Sequence, residues 1–447
     1  MNSIKKHLSK YIYVYLFALG FFILLLRGYY NLETPIIYAE DGDWISHMWQ
    51  HGYLKTAFGV RGDYPVFWLA TLLKISDILC NILFSGNISY LPYTIFFVST
   101  FSYIFVAMLP YILLKDKLGK KACLLIYLLI LLLPLGNTSN EILGRILQGH
   151  FFMWYVLFIL LIYRYYNEKD LKKLLVTDCF IISCLLTNPV VSVEIAGYIL
   201  FSFYKKIIKK NTFYNKKYQL IMFLTSGVLM LYLFIRMINY EAESVDVIIT
   251  SNNTIEFFAK SLLYPFIFGI YDNLNDCLSV ILLCIMSVYY YFAYKKMNKE
   301  TKTIFILSIV STLAITLIMY FTRSFLRGCL LGYKTANVPD RYFLLMNICS
   351  ILTFSITLNT WNRSRLLKYF SILIILLVGV EYINNLEMIF PKENKCLAVS
   401  NVTFKERLKN SSYNTKNGNF VVEIDPSWKM EIPPYKMKTF MEDIYEN

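Results

Sequence analysis

The sequence predicts an all-α polytopic membrane protein. Of its 447 residues, 57% are hydrophobic and 17% are charged, and the mean hydropathy is +0.49. Soluble domains are less apolar and more charged than this, and many apolar runs approach the ~20 residues that cross a bilayer as a helix. The net charge of +14 comes from basic loops between these runs. Such loops set membrane orientation and do not indicate nucleic-acid binding.

The positions of the basic loops predict the topology of the N-terminal part. Three lysines precede the first apolar run, which ends near Arg27, and the next basic cluster lies at residues 115–121. Basic loops favour the cytoplasmic side, so the N-terminus is predicted there, with a single span at 91–114 between the clusters. Two charged residues interrupt the apolar stretch 64–85. We therefore expect residues 28–90 to form one long periplasmic loop whose second half is an interfacial helix.

The later apolar runs alternate in the same way and bring the prediction to about eleven transmembrane helices. They lie at 122–135, 151–163, 174–204, 218–235, 277–294, 304–321, 342–360 and 369–380. The run 174–204 is basic at both ends and is broken by Asn188-Pro189, which predicts a short helical hairpin. Residues 1–380 are thus predicted as the transmembrane domain. Residues 381–447 are predicted as a small C-terminal periplasmic cap that contains a strand-like run, Asn419–Ile424.

A cluster of acidic residues follows the first span. Glu40-Asp41-Gly42-Asp43 comes directly after Tyr38-Ala39. Carboxylates at a membrane face are costly and indicate function, and a carboxylate can accept a hydroxyl proton as a general base. The alternative is a solvated turn with helix-capping acids. We predict Glu40, Asp41 and Asp43 as catalytic residues, and Asp41 and Asp43 could also hold a divalent cation, Mg²⁺ or Mn²⁺.

Basic and aromatic residues in the predicted outer loops could complement these acids. Arginine binds phosphate and stabilises the charge that develops on a leaving group. The predicted donor-phosphate-binding residues are Arg145, Arg323, Arg327 and Arg341. The predicted substrate-binding residues are Trp44, Glu141, His150 and Tyr342. Interfacial anchoring or binding of lipid headgroups remains the alternative for the arginines. The nine cysteines show no metal-ligand spacing and no disulfide framework.

Four short motifs, in this order along the chain, resemble the GT-C superfamily of glycosyltransferases, and bacterial GtrII-like O-antigen glucosyltransferases in particular. They are Tyr38-Ala-Glu-Asp-Gly42, Glu141-Ile-Leu-Gly-Arg145 with Trp154, Pro339-Asp-Arg-Tyr-Phe343 and Asp425-Pro-Ser-Trp428. The resemblance implies a GT-C-like bundle in the bacterial inner membrane, with an active site on the periplasmic face.

The implied reaction is transfer of a hexose, glucose in the relatives, from undecaprenyl phosphate to a surface polysaccharide such as O-antigen, with inversion at the anomeric carbon. Glu40 or Asp41 would then act as the base, and the other would position the acceptor. Two alternatives stay open. A lipid-linked oligosaccharide flippase would need charges within the spans and paired repeats. An O-antigen polymerase would use arginines in a large later loop.

Overall fold

A computed structural model describes residues 2–135, 142–205, 214–240, 251–268, 275–323, 340–390 and 401–445. Helices make up most of the described chain. The helices before residue 136 are Asn2–Arg27, Tyr30–Glu33, Ala39–His51, Tyr53–Gly59, Phe67–Leu83, Leu91–Leu118 and Lys120–Leu132. Those of the middle part are Met153–Tyr166, Leu171–Leu185, Ser192–Phe203, Lys216–Ile238, Ser251–Leu262 and Tyr264–Ile267. Those of the last part are Asp276–Lys296, Lys299–Thr322, Leu344–Ile356, Arg365–Asn384, Leu386–Ile389, Phe404–Lys409 and Pro434–Tyr445.

Long apolar helices define the class of the protein. Within the described residues, five helices are long and apolar enough to cross a membrane. They are Ile88–Leu118, Lys216–Ile238, Asp276–Lys296, Lys299–Thr322 and Arg365–Asn384. Three shorter apolar helices accompany them, at Tyr11–Arg27, Pro189–Phe203 and Leu344–Thr360. The chain is therefore an α-helical membrane protein.

The predicted total of about eleven spans is not confirmed. Several of the predicted spans form helices that are shorter than the ~20 residues a bilayer needs. Lys120–Leu132 has 13 residues, Met153–Tyr166 has 14 and Leu171–Leu185 has 15. The predicted break in 174–204 is confirmed, because one helix ends at Leu185 and the next begins at Ser192 after a 3₁₀ turn at Pro189–Val191.

The chain forms two compact units. The first comprises Met1–Arg27, Ile104–Ser139 and Glu243–Pro391, and the second comprises Gly28–Tyr103, Asn140–Ala242 and Lys392–Asn447. In the first unit, the buried Arg27 closes the end of the helix Lys120–Leu132. Its guanidinium donates hydrogen bonds to the carbonyls of Leu131 and Leu133, the latter at 2.7 Å. These carbonyls lack intrahelical partners, so the arginine satisfies them.

Hydroxyl groups tie the later helices of the first unit together. The Tyr289 hydroxyl lies 2.6 Å from Thr357 Oγ1 and 2.8 Å from Ser371 Oγ. Thr312 Oγ1 lies 3.1 Å from Thr353 Oγ1 between two further helices. Buried hydroxyls without partners would be costly in an apolar interior, so these pairs fix which helix faces meet.

The second unit contains a buried ion pair between two apolar helices. Arg164 and Asp178 form a two-point contact, with N–O distances of 2.6 and 3.1 Å. Tyr218 donates a hydrogen bond to the same carboxylate at 2.8 Å, and Tyr198 accepts one from Arg164 at 3.1 Å. Both charged side chains are almost fully buried. This complete set of partners is what a buried charge pair requires.

The C-terminal residues 401–445, called the cap below, add the described β-sheet. The strands β1 (Ser412–Asn414), β2 (Asn419–Ile424) and β3 (Trp428–Ile432) form an antiparallel sheet in that order. Val422 of β2 pairs with Met430 of β3. The predicted strand Asn419–Ile424 is confirmed. The boundary predicted at residues 380 and 381 falls inside the helix Arg365–Asn384, because helical hydrogen bonding continues beyond the apolar run.

The cap packs on the first predicted loop within the second unit. Its apolar residues share one core with the helices Ala39–His51 and Phe67–Leu83. Asp77, almost fully buried, accepts hydrogen bonds from Trp49 Nε1 at 3.0 Å and from Lys436 Nζ at 2.6 Å. The helix expected in the second half of the loop is thus confirmed as Phe67–Leu83. Its location at a membrane surface stays a prediction.

Candidate functional site

The acidic motif forms the first turn of the helix Ala39–His51, called the motif helix below. The preceding Tyr38 is extended and forms a parallel bridge with Asp425 of the cap. Ala39 N–H donates to the Asp425 carbonyl at 2.6 Å, and Ala39 has a φ of +40°. A left-handed alanine is uncommon, and such strain is retained where the surrounding structure imposes it. The cap therefore fixes the position of the backbone at Glu40, the next residue.

Asp41 anchors the motif helix to a distant segment. Its side chain is 1% exposed, and its two oxygens accept the backbone N–H groups of Ile146 at 3.0 Å and Leu147 at 2.8 Å. Burial raises the pKa of Asp41 to about 7, although the nearby Arg145 and the two backbone hydrogen bonds lower it. Both carboxylate oxygens of Asp41 therefore have a structural role, because each accepts a backbone hydrogen bond.

Gly42 and Trp44 also serve the packing of this helix. A Cβ atom at Gly42 would lie 2.3 Å from Ile424 Cδ1 and 2.9 Å from Ile37 Cγ2. Only glycine lets the motif helix approach the strand β2 this closely. Trp44, predicted to bind substrate, is 3% exposed in the shared core. In the structure, Trp44 therefore packs within the hydrophobic core.

Arg145, predicted to bind donor phosphate, lies buried behind Asp41. Its guanidinium donates to the Ile36 carbonyl at 2.7 Å and to Asn31 Oδ1 at 2.9 Å. Burial lowers the pKa of Arg145, while the Asp41 carboxylate raises it. Ser99 donates to the Arg145 carbonyl at 2.9 Å. These contacts link Asn31 and Ile36, which precede the motif helix, to the segment around Arg145. Asp41 binds the backbone of the same segment.

Glu40 differs from its neighbour. It is half-buried, and among the described residues its carboxylate has no hydrogen-bond or ion-pair partner. Its charge acts on Arg61. Burial alone would lower the pKa of Arg61, but hydrogen bonds to Asp63 and the nearby Tyr64 and Glu40 raise it above the usual value. Arg61 binds Asp63 at two points, each 2.9 Å, and its guanidinium lies 4.5 Å from the Tyr64 ring centre.

Asp43 lies one turn before His47 on the motif helix. Burial raises the pKa of the half-buried Asp43, and His47 opposes this change. Burial also lowers the pKa of His47, with a further contribution from His51, whose ring centre is 4.5 Å away. An open groove of about 570 Å³ lies along this face, lined by His47, His51, Leu54, Lys55, Phe58 and Gly59. The two histidines were not among the residues predicted from sequence.

The predicted cation site on Asp41 and Asp43 does not fit this arrangement. Residues two apart on a helix do not face each other, and both oxygens of Asp41 already accept backbone N–H groups. Within the described parts of the chain, no group of three or more His, Cys, Asp or Glu side chains could hold a metal ion. Asp43 alone would offer a divalent cation one carboxylate.

Three of the predicted site residues meet in the first unit. The guanidinium groups of Arg323 and Arg341 lie 5.9 and 5.2 Å from the ring centre of Tyr342. The neighbouring Phe343 ring lies 5.1 Å from the ammonium of Lys260, a buried lysine absent from the sequence prediction. Two arginines at one aromatic ring can hold a phosphate, because guanidinium forms paired hydrogen bonds with its oxygens.

Of the remaining predicted site residues, the structure describes His150 but not Glu141 or Arg327. His150 is half-buried, and its Nδ1 lies 2.5 Å from the Leu147 carbonyl, next to the segment that Asp41 holds. The carbonyl of His150 accepts a hydrogen bond from Asn188 at 3.1 Å. Glu141 and Arg327 lie outside the described residues.

Comparison with known protein families, curated proteins and solved structures finds no match to this chain. The fold therefore defines the class, an α-helical membrane protein, and the site has to be interpreted from its own chemistry.

Proposed function

We propose that this chain is an integral-membrane glycosyltransferase. It transfers a hexose, with glucose as the first candidate, from undecaprenyl phosphate to a surface polysaccharide such as O-antigen. The reaction takes place at the periplasmic face of a bacterial inner membrane. The N-terminus lies in the cytoplasm and the C-terminal cap in the periplasm.

One observation carries the proposal: a half-buried carboxylate without a partner in the described chain, that of Glu40, on a rigidly held backbone. Asp41, Gly42 and the Tyr38–Asp425 bridge fix the turn that presents it. A general base is effective when its position is held before the substrate arrives. A solvated turn would not need the neighbouring acid to be buried and bound to two backbone N–H groups.

Each group has a role in the proposed step. An acceptor hydroxyl attacks the anomeric carbon, its proton passes to Glu40, and the bond from that carbon to the phosphate oxygen breaks. The electron pair leaves with the lipid phosphate, and the configuration inverts because the hydroxyl attacks from the side opposite the leaving phosphate. Asp41 positions Glu40 by fixing the turn that carries it. In the first unit, Arg323 and Arg341 are proposed to bind the donor phosphate, because arginines stabilise the charge of a leaving group, and Tyr342 is proposed to bind substrate.

The test compares purified wild-type protein with the Glu40→Gln variant. The donor is undecaprenyl-phosphate glucose and the acceptor a candidate polysaccharide, and transfer of labelled sugar is followed. Loss of a positioned general base costs about 10²–10⁴-fold in rate. Glu33→Gln is the matched control, because Glu33 is an exposed acid on the preceding short helix.

The outcomes separate the roles. Transfer that is lost in Glu40→Gln and retained in Glu33→Gln supports the proposal. Equal activity in Glu40→Gln and wild type rejects Glu40 as the base. An absence of transfer with every donor and acceptor tried would reject the enzyme class.

A lipid-linked oligosaccharide flippase is the second candidate, favoured by the ion pair of Arg164 and Asp178. Charges buried between apolar helices often mark a transport path. In reconstituted vesicles, a flippase would move a fluorescent lipid-linked oligosaccharide between leaflets, and Asp178→Asn would slow it. Movement that is absent in wild type excludes this reading.

A further inference from the structure

An apolar groove lies between two helices of the first unit, away from every residue assigned above. The helices Asp276–Lys296 and Arg365–Asn384, both long and apolar enough to span a membrane, enclose a volume of about 650 Å³. Ligand-binding clefts typically have volumes of roughly 300–1,000 Å³. The groove is therefore large enough to take a substantial part of a lipid.

The walls of the groove are hydrocarbon. Ile285, Val288 and Phe292 line one side and Leu366 and Phe370 the other. Val288 is 55% and Leu366 is 79% exposed, so the described chain does not cover them. Side chains of this kind in a spanning helix face acyl chains, and a concave surface holds one chain more closely than a flat one does.

The floor of the groove is rigid. The Tyr289 ring contributes to it, and its hydroxyl is bound to Thr357 and Ser371, so only the apolar part of the ring is available to a ligand. The floor therefore offers an apolar contact without an unsatisfied polar group.

One end of the groove is cationic. Lys295 and Lys296, on the last turn of the first helix, line this end together with Ser364 of the second. Lys295 Nζ lies 4.4 Å from the Tyr291 ring centre, and Arg363 donates to the Lys296 carbonyl at 3.4 Å. Both lysines are exposed. A hydrocarbon surface that ends in two ammonium groups complements an acyl chain together with the negatively charged headgroup of a phospholipid.

We propose that this groove binds an anionic phospholipid, with one acyl chain along Val288 and Phe292 and the headgroup phosphate at Lys295 and Lys296. The charge pattern selects the occupant. A zwitterionic lipid brings its own ammonium group to the two lysines, whereas an anionic lipid brings only negative charge. Basic groups at the cytoplasmic end of a membrane helix attract anionic lipids, and the positive-inside rule predicts that side for this end.

The test measures lipid binding to purified full-length protein by native mass spectrometry. Phosphatidylglycerol and phosphatidylethanolamine with the same acyl chains are compared. Wild type is expected to bind the anionic lipid about tenfold more tightly. Lys295→Gln/Lys296→Gln should abolish this preference and leave the weaker binding of both lipids.

Two further variants control the test. Lys216→Gln/Lys217→Gln makes the same charge change at exposed lysines of another helix and should keep the tenfold preference. Val288→Trp fills the groove from a largely exposed position and should weaken binding of both lipids.

Three results would overturn the inference. The first is equal binding of the two lipids to wild type. The second is a preference that persists without Lys295 and Lys296 or disappears in the control. The third is tighter binding of polyprenyl phosphate than of phosphatidylglycerol, lost in the same double variant, which would assign the groove to the carrier lipid. None of these outcomes depends on glycosyl transfer, so the two proposals can fail separately.

Discussion

Replacement of Asp41 by asparagine should change how the stability of the protein depends on pH. The carboxyl group is 1% exposed, and burial raises its pKa from 3.8 to about 7. One pKa unit corresponds to ~1.4 kcal/mol, so the full difference between folded and unfolded states is about 4 kcal/mol.

The direction of the effect follows from proton binding. The folded protein binds the Asp41 proton more tightly than the unfolded chain does. The stabilisation is therefore complete below about pH 4 and is lost as the pH rises toward about 7. Between pH 5 and pH 8 the wild type should lose ~2–3 kcal/mol from this one group.

Asparagine removes this titration but keeps the shape of the side chain. Its oxygen can accept one of the two N–H groups, from Ile146 or Leu147, and its own NH₂ group then faces the other. One unsatisfied buried donor costs about 1–3 kcal/mol. The Asp41→Asn variant should thus be less stable than wild type at pH 5, and this difference should shrink or reverse at pH 8.

The assay is the melting temperature of detergent-purified protein from pH 4 to pH 8.5. Asp116→Asn, which changes an exposed carboxylate, serves as the control and should follow the wild-type profile. A change of ~1 kcal/mol shifts the melting temperature of a domain by roughly 2–4 °C, which is measurable. Parallel profiles for wild type and Asp41→Asn would show that Asp41 stays ionised throughout and would contradict this prediction.

Three further predictions follow from the same unit. Gly42→Ala should destabilise the protein by ~1–3 kcal/mol, because the new methyl group meets Ile424; Gly59→Ala, with open space around it, should leave the melting temperature nearly unchanged. Lys436→Met removes the closest cation of the buried Asp77 and should cost ~3 kcal/mol, seen as faster proteolysis of the cap; unchanged proteolysis would contradict it. Sugar transfer should persist in a chelator, and loss that Mg²⁺ or Mn²⁺ restores would contradict this.

The class of the protein and several of its local elements can be predicted from short-range features of the chain. The apolar runs predict helices because backbone polar groups within a bilayer must bond within their own segment. The break at Asn188-Pro189 follows from the local rule for proline, and the strand Asn419–Ile424 follows from its aromatic and β-branched residues. These features depend on neighbours in the chain, and the structure has each of them.

The number of spans was harder to predict. Hydropathy shows where a run is apolar, but not whether its helix continues far enough to cross a bilayer. The runs at 122–135 and 151–163 form helices of 13 and 14 residues. The helix after Ser364 extends past residue 380 to Asn384. Helix ends depend on caps and tertiary contacts, which composition does not show.

The different environments of the two adjacent acids, Glu40 and Asp41, depend on long-range packing and could not be predicted from the sequence. In the sequence, Glu40 and Asp41 are adjacent carboxylates, and either could be predicted as the catalytic base. On a helix, adjacent side chains point in different directions, so Asp41 reaches the backbone of residues more than a hundred positions away, while Glu40 has no hydrogen-bond or ion-pair partner among the described residues. The cap contacts the same loop through Lys436 and Asp77, which are 359 residues apart in the chain. The hydrogen-bond and ion-pair partners of these acids depend on how the whole unit packs, because the free energy of burying a charge depends on the groups around it.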